Sequence, residues 1–169
     1  MKYIKITIVT ILFNIFSSLN ITAQSKVENS LIGMNAPVFS VKDIQGNKKS
    51  LNSLKGKIII LNFWFIECKP CVREMPELNN LVKKYKNDNV EFIGFSGNGS
   101  MQINSFLKEQ DFLYNIVPNS KSVIKDYRIS SYPTNIIIDQ NAKVVYVTKG
   151  LKPATVNEIE EVIKSLIKE

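Results

Sequence analysis

Histidine is absent from this chain, and cysteine occurs only at Cys68 and Cys71. These two scarcities narrow the chemistry. Structural zinc is held by sets of four Cys or His ligands, and neither a third cysteine nor any imidazole is on offer. A copper site built on Cys-x-x-x-Cys with a distant histidine fails on both counts. A phosphate cradle is excluded as well, because the Gly97-Asn98-Gly99-Ser100 stretch is followed by no Gly-Lys-Thr and no Gly-x-Gly-x-x-Gly. Internal repeats and low-complexity tracts are missing. The formal charge of +7 is not gathered into a basic face with stacking aromatics, so no nucleic-acid partner is expected.

What is present suits one domain: 44% hydrophobic and 22% charged residues over 169 positions can build a full core without staples. A disulfide closing a loop as short as Cys68 to Cys71 removes little entropy from the unfolded chain. The pair is therefore read as chemistry rather than reinforcement. At the amino terminus, Lys2 and Lys5 precede an apolar stretch from Ile6 to Phe16, broken only by Thr and Asn, and then Ser17, Ser18 and Ile21-Thr22-Ala23. That is the layout of a secretory signal peptide, residues 1–23, cleaved after Ala23. Ile21 is larger than the small residue preferred two positions before the cut, and an uncleaved membrane anchor is the alternative. The stretch is shorter than the roughly 20 apolar residues of a spanning helix, and no cysteine follows it to carry a lipid. Removing Lys2 and Lys5 leaves 20 basic against 15 acidic side chains, a charge of +5. Export, to a periplasm or cell envelope, places the cysteines where disulfides persist, and a lone Cys-x-x-Cys there cycles with partners.

The chain then reads as strands alternating with helices. Residues 24–32 form a polar linker, and the domain is expected over 33–169. Phe39 and Val41 alternate with Ser40 and Lys42 in a strand, Gln45-Gly46-Asn47 makes a turn, and Lys55-Gly56-Lys57 makes another. Ile58 to Phe65 is almost entirely apolar, as in a parallel strand covered on both faces, with Asn62 its one interruption. From Pro70 to about Tyr85 the residues Val72, Met75, Leu78, Val82 and Tyr85 recur at helical spacing. Pro70 suits the first turn, and Pro76 predicts a kink. Further elements are expected at 90–96 (strand), 101–110 (helix), 115–117 (strand) and 121–127 (helix). An antiparallel hairpin over 135–139 and 143–148 follows, then a helix over 153–168 with Val156, Ile159, Val162, Ile163, Leu166 and Ile167 on one face. Together they predict an α/β fold with a mixed central sheet flanked by helices.

The chemistry centres on the step from the apolar strand into the helix. Cys68 falls at the helix amino end, where free N–H groups and the helix dipole favour a thiolate, the species that attacks disulfides. Cys71 lies one turn on, pointing the same way but deeper. Lys69 favours the thiolate and Glu67 opposes it, unless both face water and nearly cancel.

With Asn62-Phe63-Trp64, Cys68-Lys69-Pro70-Cys71 and Tyr132-Pro133-Thr134, the chain from about Gly33 onward resembles the thioredoxin superfamily, and within it the extracytoplasmic TlpA/ResA-type thiol-disulfide oxidoreductases. The resemblance implies a thioredoxin-like fold with an amino-terminal strand or hairpin extension and a central helix-strand insertion. It implies Cys68 as nucleophile and Cys71 as the resolving thiol, cycling through a Cys68–Cys71 disulfide with no metal or organic cofactor. Lys69 and Pro70 are the dipeptide that tunes the redox centre in that family. Glu67 is a departure, since an uncharged residue is common there. Asn62 stands where thioredoxin carries a buried aspartate that handles the second cysteine's proton. An amide cannot accept that proton, and 97–100 supplies no acid, which leaves the acceptor unidentified. Asn62 is otherwise a satisfied buried amide. Pro133 matches the cis-proline that faces the dithiol, and with Tyr132 and Trp64 it marks the substrate-binding side, although plain core packing is an equal role for Trp64. Implied partners are disulfides or dithiols of other proteins and a membrane thiol donor of the CcdA/DsbD type, with cytochrome c maturation as one role. A peroxiredoxin-like thiol peroxidase shares the fold and the Ala36-Pro37-Val38-Phe39 segment, but Leu61 and Phe65 stand where Pro and Thr belong. A redox-silent or copper-binding module of the same fold is the remaining alternative.

Overall fold

The structure, a computed structural model, describes residues 31–168. The proposed leader 1–23 and nearly all of the linker lie outside the described residues. The elements run β1 (Ser40–Lys42), β2 (Lys48–Ser50), a 3-10 turn (Asn52–Leu54), β3 (Ile58–Trp64), α1 (Lys69–Tyr85), β4 (Val90–Ser96) and α2 (Ser100–Phe106). They continue with β5 (Asn115–Val117), α3 (Lys121–Asp126), β6 (Thr134–Ile138), β7 (Val144–Lys149) and α4 (Thr155–Ile167).

Five strands form one mixed sheet in the order β5-β4-β3-β6-β7. β4 runs parallel to both β3 and β5, whereas β6 is antiparallel to both β3 and β7. β3 sits in the middle with all seven residues buried, which is why its sequence is a continuous apolar run instead of an alternating one. Successive side chains of a strand point to opposite faces, and β3 accordingly feeds two cores. Ile58, Ile60 and Trp64 join Met75, Leu78, Ile159 and Ile163 of α1 and α4 on one face. Ile59, Leu61 and Phe63 join Phe39, Leu54, Val123 and Tyr127 on the other.

β1 and β2 make a separate two-stranded hairpin. Its turn is tied by Asp43, whose carboxylate accepts the backbone N–H groups of Gln45 (3.0 Å) and Asn47 (2.8 Å). Before it, Gly33 and Ala36 donate backbone N–H bonds to Val144 and Ala142, and Leu31 packs on the second core. This covers part of the exposed edge of β7. Among the described residues no helix is long and apolar enough to cross a membrane.

Several expected boundaries move for local reasons. β3 stops at Trp64 because the Phe65 carbonyl turns to accept the Cys68 N–H. The helix expected to reach Gln110 ends at Phe106, where Lys108 and Glu109 bond three residues back to Ser105 and Phe106 and tighten the chain into turns. On α4, Ile167 is 44% exposed, so it lies off the buried face to which periodicity assigned it. α1 runs unbroken through Pro76.

Candidate active site

Three chain segments meet at the end of the sheet where β3 runs out. The first is the turn from β3 into α1. Residue 68 caps the helix with extended backbone, and the Cys71 backbone N–H points at its Sγ, 3.2 Å away. Pro70 occupies the first helical turn, where its missing N–H costs no intrahelical bond. The two sulfurs are bonded at 2.00 Å with the Cα atoms 5.3 Å apart, so the dithiol is in its oxidised form. Cys68 is 5% and Cys71 1% exposed, an order consistent with an outer and an inner sulfur.

The second segment is the loop after β4. Asn98 Oδ1 accepts the Ile66 N–H (3.0 Å) and the Ser96 hydroxyl (3.0 Å), which clamps the residues leading into the first cysteine. The third is the turn before β6, where the Tyr132–Pro133 bond is cis. The Tyr132 ring meets Phe65 edge-on at 5.1 Å and packs against the cluster that holds both cysteines. Trp64 lies fully buried in that cluster, against Phe106 and Phe112. The indole has no exposed surface in this oxidised state. Glu67 and Lys69 are exposed and make no ion pair with each other or with any other described residue. An open groove on this side of the helix start is lined by Ile66, Glu67, Lys69, Pro70, Val72, Arg73 and Phe106.

The sequence reading missed a fourth component, the carboxylate of Glu74. It sits one helical turn beyond Cys71 on the same face, only 2% exposed. Asn62 Nδ2 donates to its Oε1 at 2.7 Å, and Asn135 Nδ2 approaches its Oε2 at 3.4 Å. Asn62 also donates to Asn135 Oδ1 at 2.8 Å. β3 and β6 place Asn62 and Asn135 directly opposite each other. Burial pushes the Glu74 carboxyl up from an ordinary 4.5 to about 7, aided by the nearby Glu77 charge and opposed by the two asparagine bonds. A buried carboxyl whose proton exchanges near neutrality is thus present one helical turn from Cys71, where Asn62 alone could neither take nor release a proton. The signal was in the sequence. Glu74 falls on the α1 stripe between Cys71, Met75 and Leu78, and Asn62 and Asn135 are polar residues inside apolar strands.

Comparison with known proteins agrees with this geometry. Residues 32–147 match the AhpC/TSA family. The chain is 37% identical over 144 residues to the thiol-disulfide oxidoreductase ResA of Bacillus cereus, covering 84% of this chain and 82% of that one. Among solved structures it resembles the thioredoxin domain of a thiol-disulfide oxidoreductase from Bacteroides vulgatus, with TM-score 0.69, 27% identity, and coverage of 78% of this chain and 97% of that one. It also resembles StoA from Bacillus subtilis, with TM-score 0.64, 26% identity, and coverage of 75% and 96%. Of the positions where a peroxiredoxin-like pattern needs proline and threonine, one holds Leu61, buried in the second core, and the other Phe65, packed on Tyr132. The chain therefore belongs to the thioredoxin-like AhpC/TSA family, as a thiol-disulfide oxidoreductase of the ResA kind.

Proposed function

We propose that the protein reduces disulfides of other proteins outside the cytoplasm, with Cys68 as nucleophile, Cys71 as resolving thiol and Glu74 as the base for Cys71. The observation that carries the assignment is the pairing of an outer sulfur at the helix cap with an inner sulfur one turn from a buried carboxylate. In the reduced protein the helix amino end favours the Cys68 thiolate. That thiolate attacks one sulfur of a substrate disulfide, and the other substrate sulfur leaves as a thiolate. Glu74 then takes the Cys71 proton, and the Cys71 thiolate attacks Cys68 Sγ. The Cys68–Cys71 disulfide forms, the second substrate sulfur departs, and two electrons have passed to the substrate. A base near pH 7 is matched to this step, because it is partly ionised at neutral pH yet basic enough to draw a thiol proton.

Tyr132 and Pro133 border the side from which an extended substrate segment approaches, with Trp64 as the packed support beneath. Lys69, Pro70 and Glu67 shape the first helical turn at the sulfur, and Asn62 acts through Glu74. The domain proper is taken as 33–169, behind a linker of 24–32. Lys2, Lys5 and the apolar residues 6–16 before Ala23 favour export by a leader, to a periplasm or cell envelope, with retention as an anchor the second reading. Electrons to regenerate the dithiol then come from a membrane thiol carrier of the CcdA/DsbD type, and cytochrome c apoprotein disulfides are one substrate class. The test is trapping: Cys71→Ser should accumulate mixed disulfides through Cys68 with natural partners, while Cys68→Ser forms none. Equal partial losses of disulfide reduction in the two variants would instead mark the bridge as structural.

A further inference from the structure

We propose that Asn135 is a positioning residue of the reaction, which fixes the amide of Asn62 so that it donates to Glu74 and leaves Glu74 Oε2 as the atom that carries the proton. The proposal rests on the reading of Glu74 as the base for Cys71. Asn135 is fully buried in the middle of the sheet face that carries Asn62, the two residues directly opposite across β3 and β6. Asn62 Nδ2 has two hydrogens, and both are spent, on Glu74 Oε1 at 2.7 Å and on Asn135 Oδ1 at 2.8 Å.

An asparagine amide has two ends of opposite character, an acceptor oxygen and a donor nitrogen. Turned over, Asn62 would aim its oxygen at the carboxylate and lose the bond to Glu74. Asn135 Oδ1 accepts a hydrogen from Asn62, and the reversed amide could not supply it. The bond between the two asparagines therefore sets which end of Asn62 faces Glu74. Asn135 offers its own Nδ2 to Oε2 only at 3.4 Å. The two carboxylate oxygens are thus unequal, with Oε1 held closely and Oε2 loosely, and the proton goes to the oxygen whose lone pairs are less engaged.

Other charged or titratable groups face Glu74 from the surrounding elements. Cys71, Arg73 and Glu77 belong to α1 itself. Lys152, in the loop after β7, and Arg73 line a surface cavity that Glu74 also borders, and Tyr114 lies near enough to feel its charge. β3 and β6 contain no ionisable side chain. Their contribution to the carboxylate comes from the amides of Asn62 and Asn135.

The experiment measures the pH dependence of Cys71-dependent resolution in single turnover, together with the titration of the Glu74 carboxyl by carbon NMR. It uses the wild type, Asn135→Leu, Glu74→Gln and the double variant. Asn135→Leu should move both midpoints upward by roughly one pH unit, because the ionised carboxylate loses its orientated donor. In the Glu74→Gln background the same change should leave the pH profile where it is, which a merely structural role would not do. If Glu74→Gln alters the wild-type profile while Asn135→Leu leaves the midpoints in place, this proposal is overturned and the role of Glu74 stands. A wild-type profile unmoved by Glu74→Gln removes the base assignment and this proposal with it. Asn135→Thr, whose β-branched side chain suits a strand and whose hydroxyl is too short to meet both partners, gives a second folded variant. It is expected to move the midpoints in the same direction, and a downward or absent movement would also overturn the proposal.

Discussion

Replacing Glu74 by glutamine should make the oxidised protein more stable at alkaline pH and a poorer catalyst. In the folded state the Glu74 carboxyl releases its proton near 7, against an ordinary 4.5 in an unfolded chain. Between those values the folded state binds more protons than the unfolded one, so stability falls as pH rises through the window and the loss is complete above about 7. A separation of about 2.5 pH units, at 1.36 kcal/mol for each, comes to about 3 kcal/mol. Glutamine carries no charge, and its carbonyl can still accept from Asn62, so the variant escapes that loss. At pH 4 its stability should lie within about 1 kcal/mol of wild type, the difference set by the weak approach of Asn135. At pH 8 it should exceed wild type by about 2 to 3 kcal/mol. Urea unfolding of the oxidised proteins at both pH values, without reductant, measures the difference directly. A stability gap of equal size at pH 4 and pH 8, or one largest in acid, would mean that Glu74 does not titrate in a buried setting, and its assignment as base would be refuted.

Gly94 lies between Asn62 and Ile116 in the sheet, and a Cβ there would sit 2.9 Å from Ile116 Cδ1, 3.1 Å from Trp64 Nε1 and 3.2 Å from Phe112 Cε1. Gly94→Ala should cost about 1 to 3 kcal/mol by overpacking, seen in denaturant unfolding together with changed Trp64 fluorescence; a neutral substitution would show that the indole is free to shift. Asn79 ties α1 to the segment before β5, donating to the Asp111 carbonyl (2.9 Å) and accepting the Leu113 N–H (2.8 Å). Asn79→Ala should cost about 1 to 3 kcal/mol through these unpaired groups and leave the rate of Cys68 alkylation unchanged, whereas a changed rate would place this tie in the active site.

Much of this architecture is legible in the residues because the signals are local. The apolar run 58–65 is a central strand, Pro70 starts a helix, and the Cys-x-x-Cys between them falls on the cap. The second strand and the edge strand emerge at 90–96 and 115–117 as read. Local signals stop short of the proton chemistry. A glutamate on a helix is usually solvated, and what buries Glu74 lies on β3 and on β6, sixty-one residues away at Asn135. The partnership of Asn62 and Asn135 depends on an antiparallel register, which is set by the packing of the whole sheet and not by either strand's own sequence. Ile167 shows the converse: periodicity gave it to the buried face of α4, but the helix ends there and the side chain overhangs into solvent.

The central claim is that Cys68, held at the start of α1, is the ionised and attacking sulfur. It is tested most directly by reducing the protein, treating it with iodoacetamide across a range of pH, and locating the adducts by mass spectrometry. Cys68 should be alkylated first, with a midpoint well below the roughly 8.5 of a free thiol, and Cys71 should lag far behind. Equal labelling of the two sulfurs, or a Cys68 midpoint at or above that of a free thiol, would contradict the account.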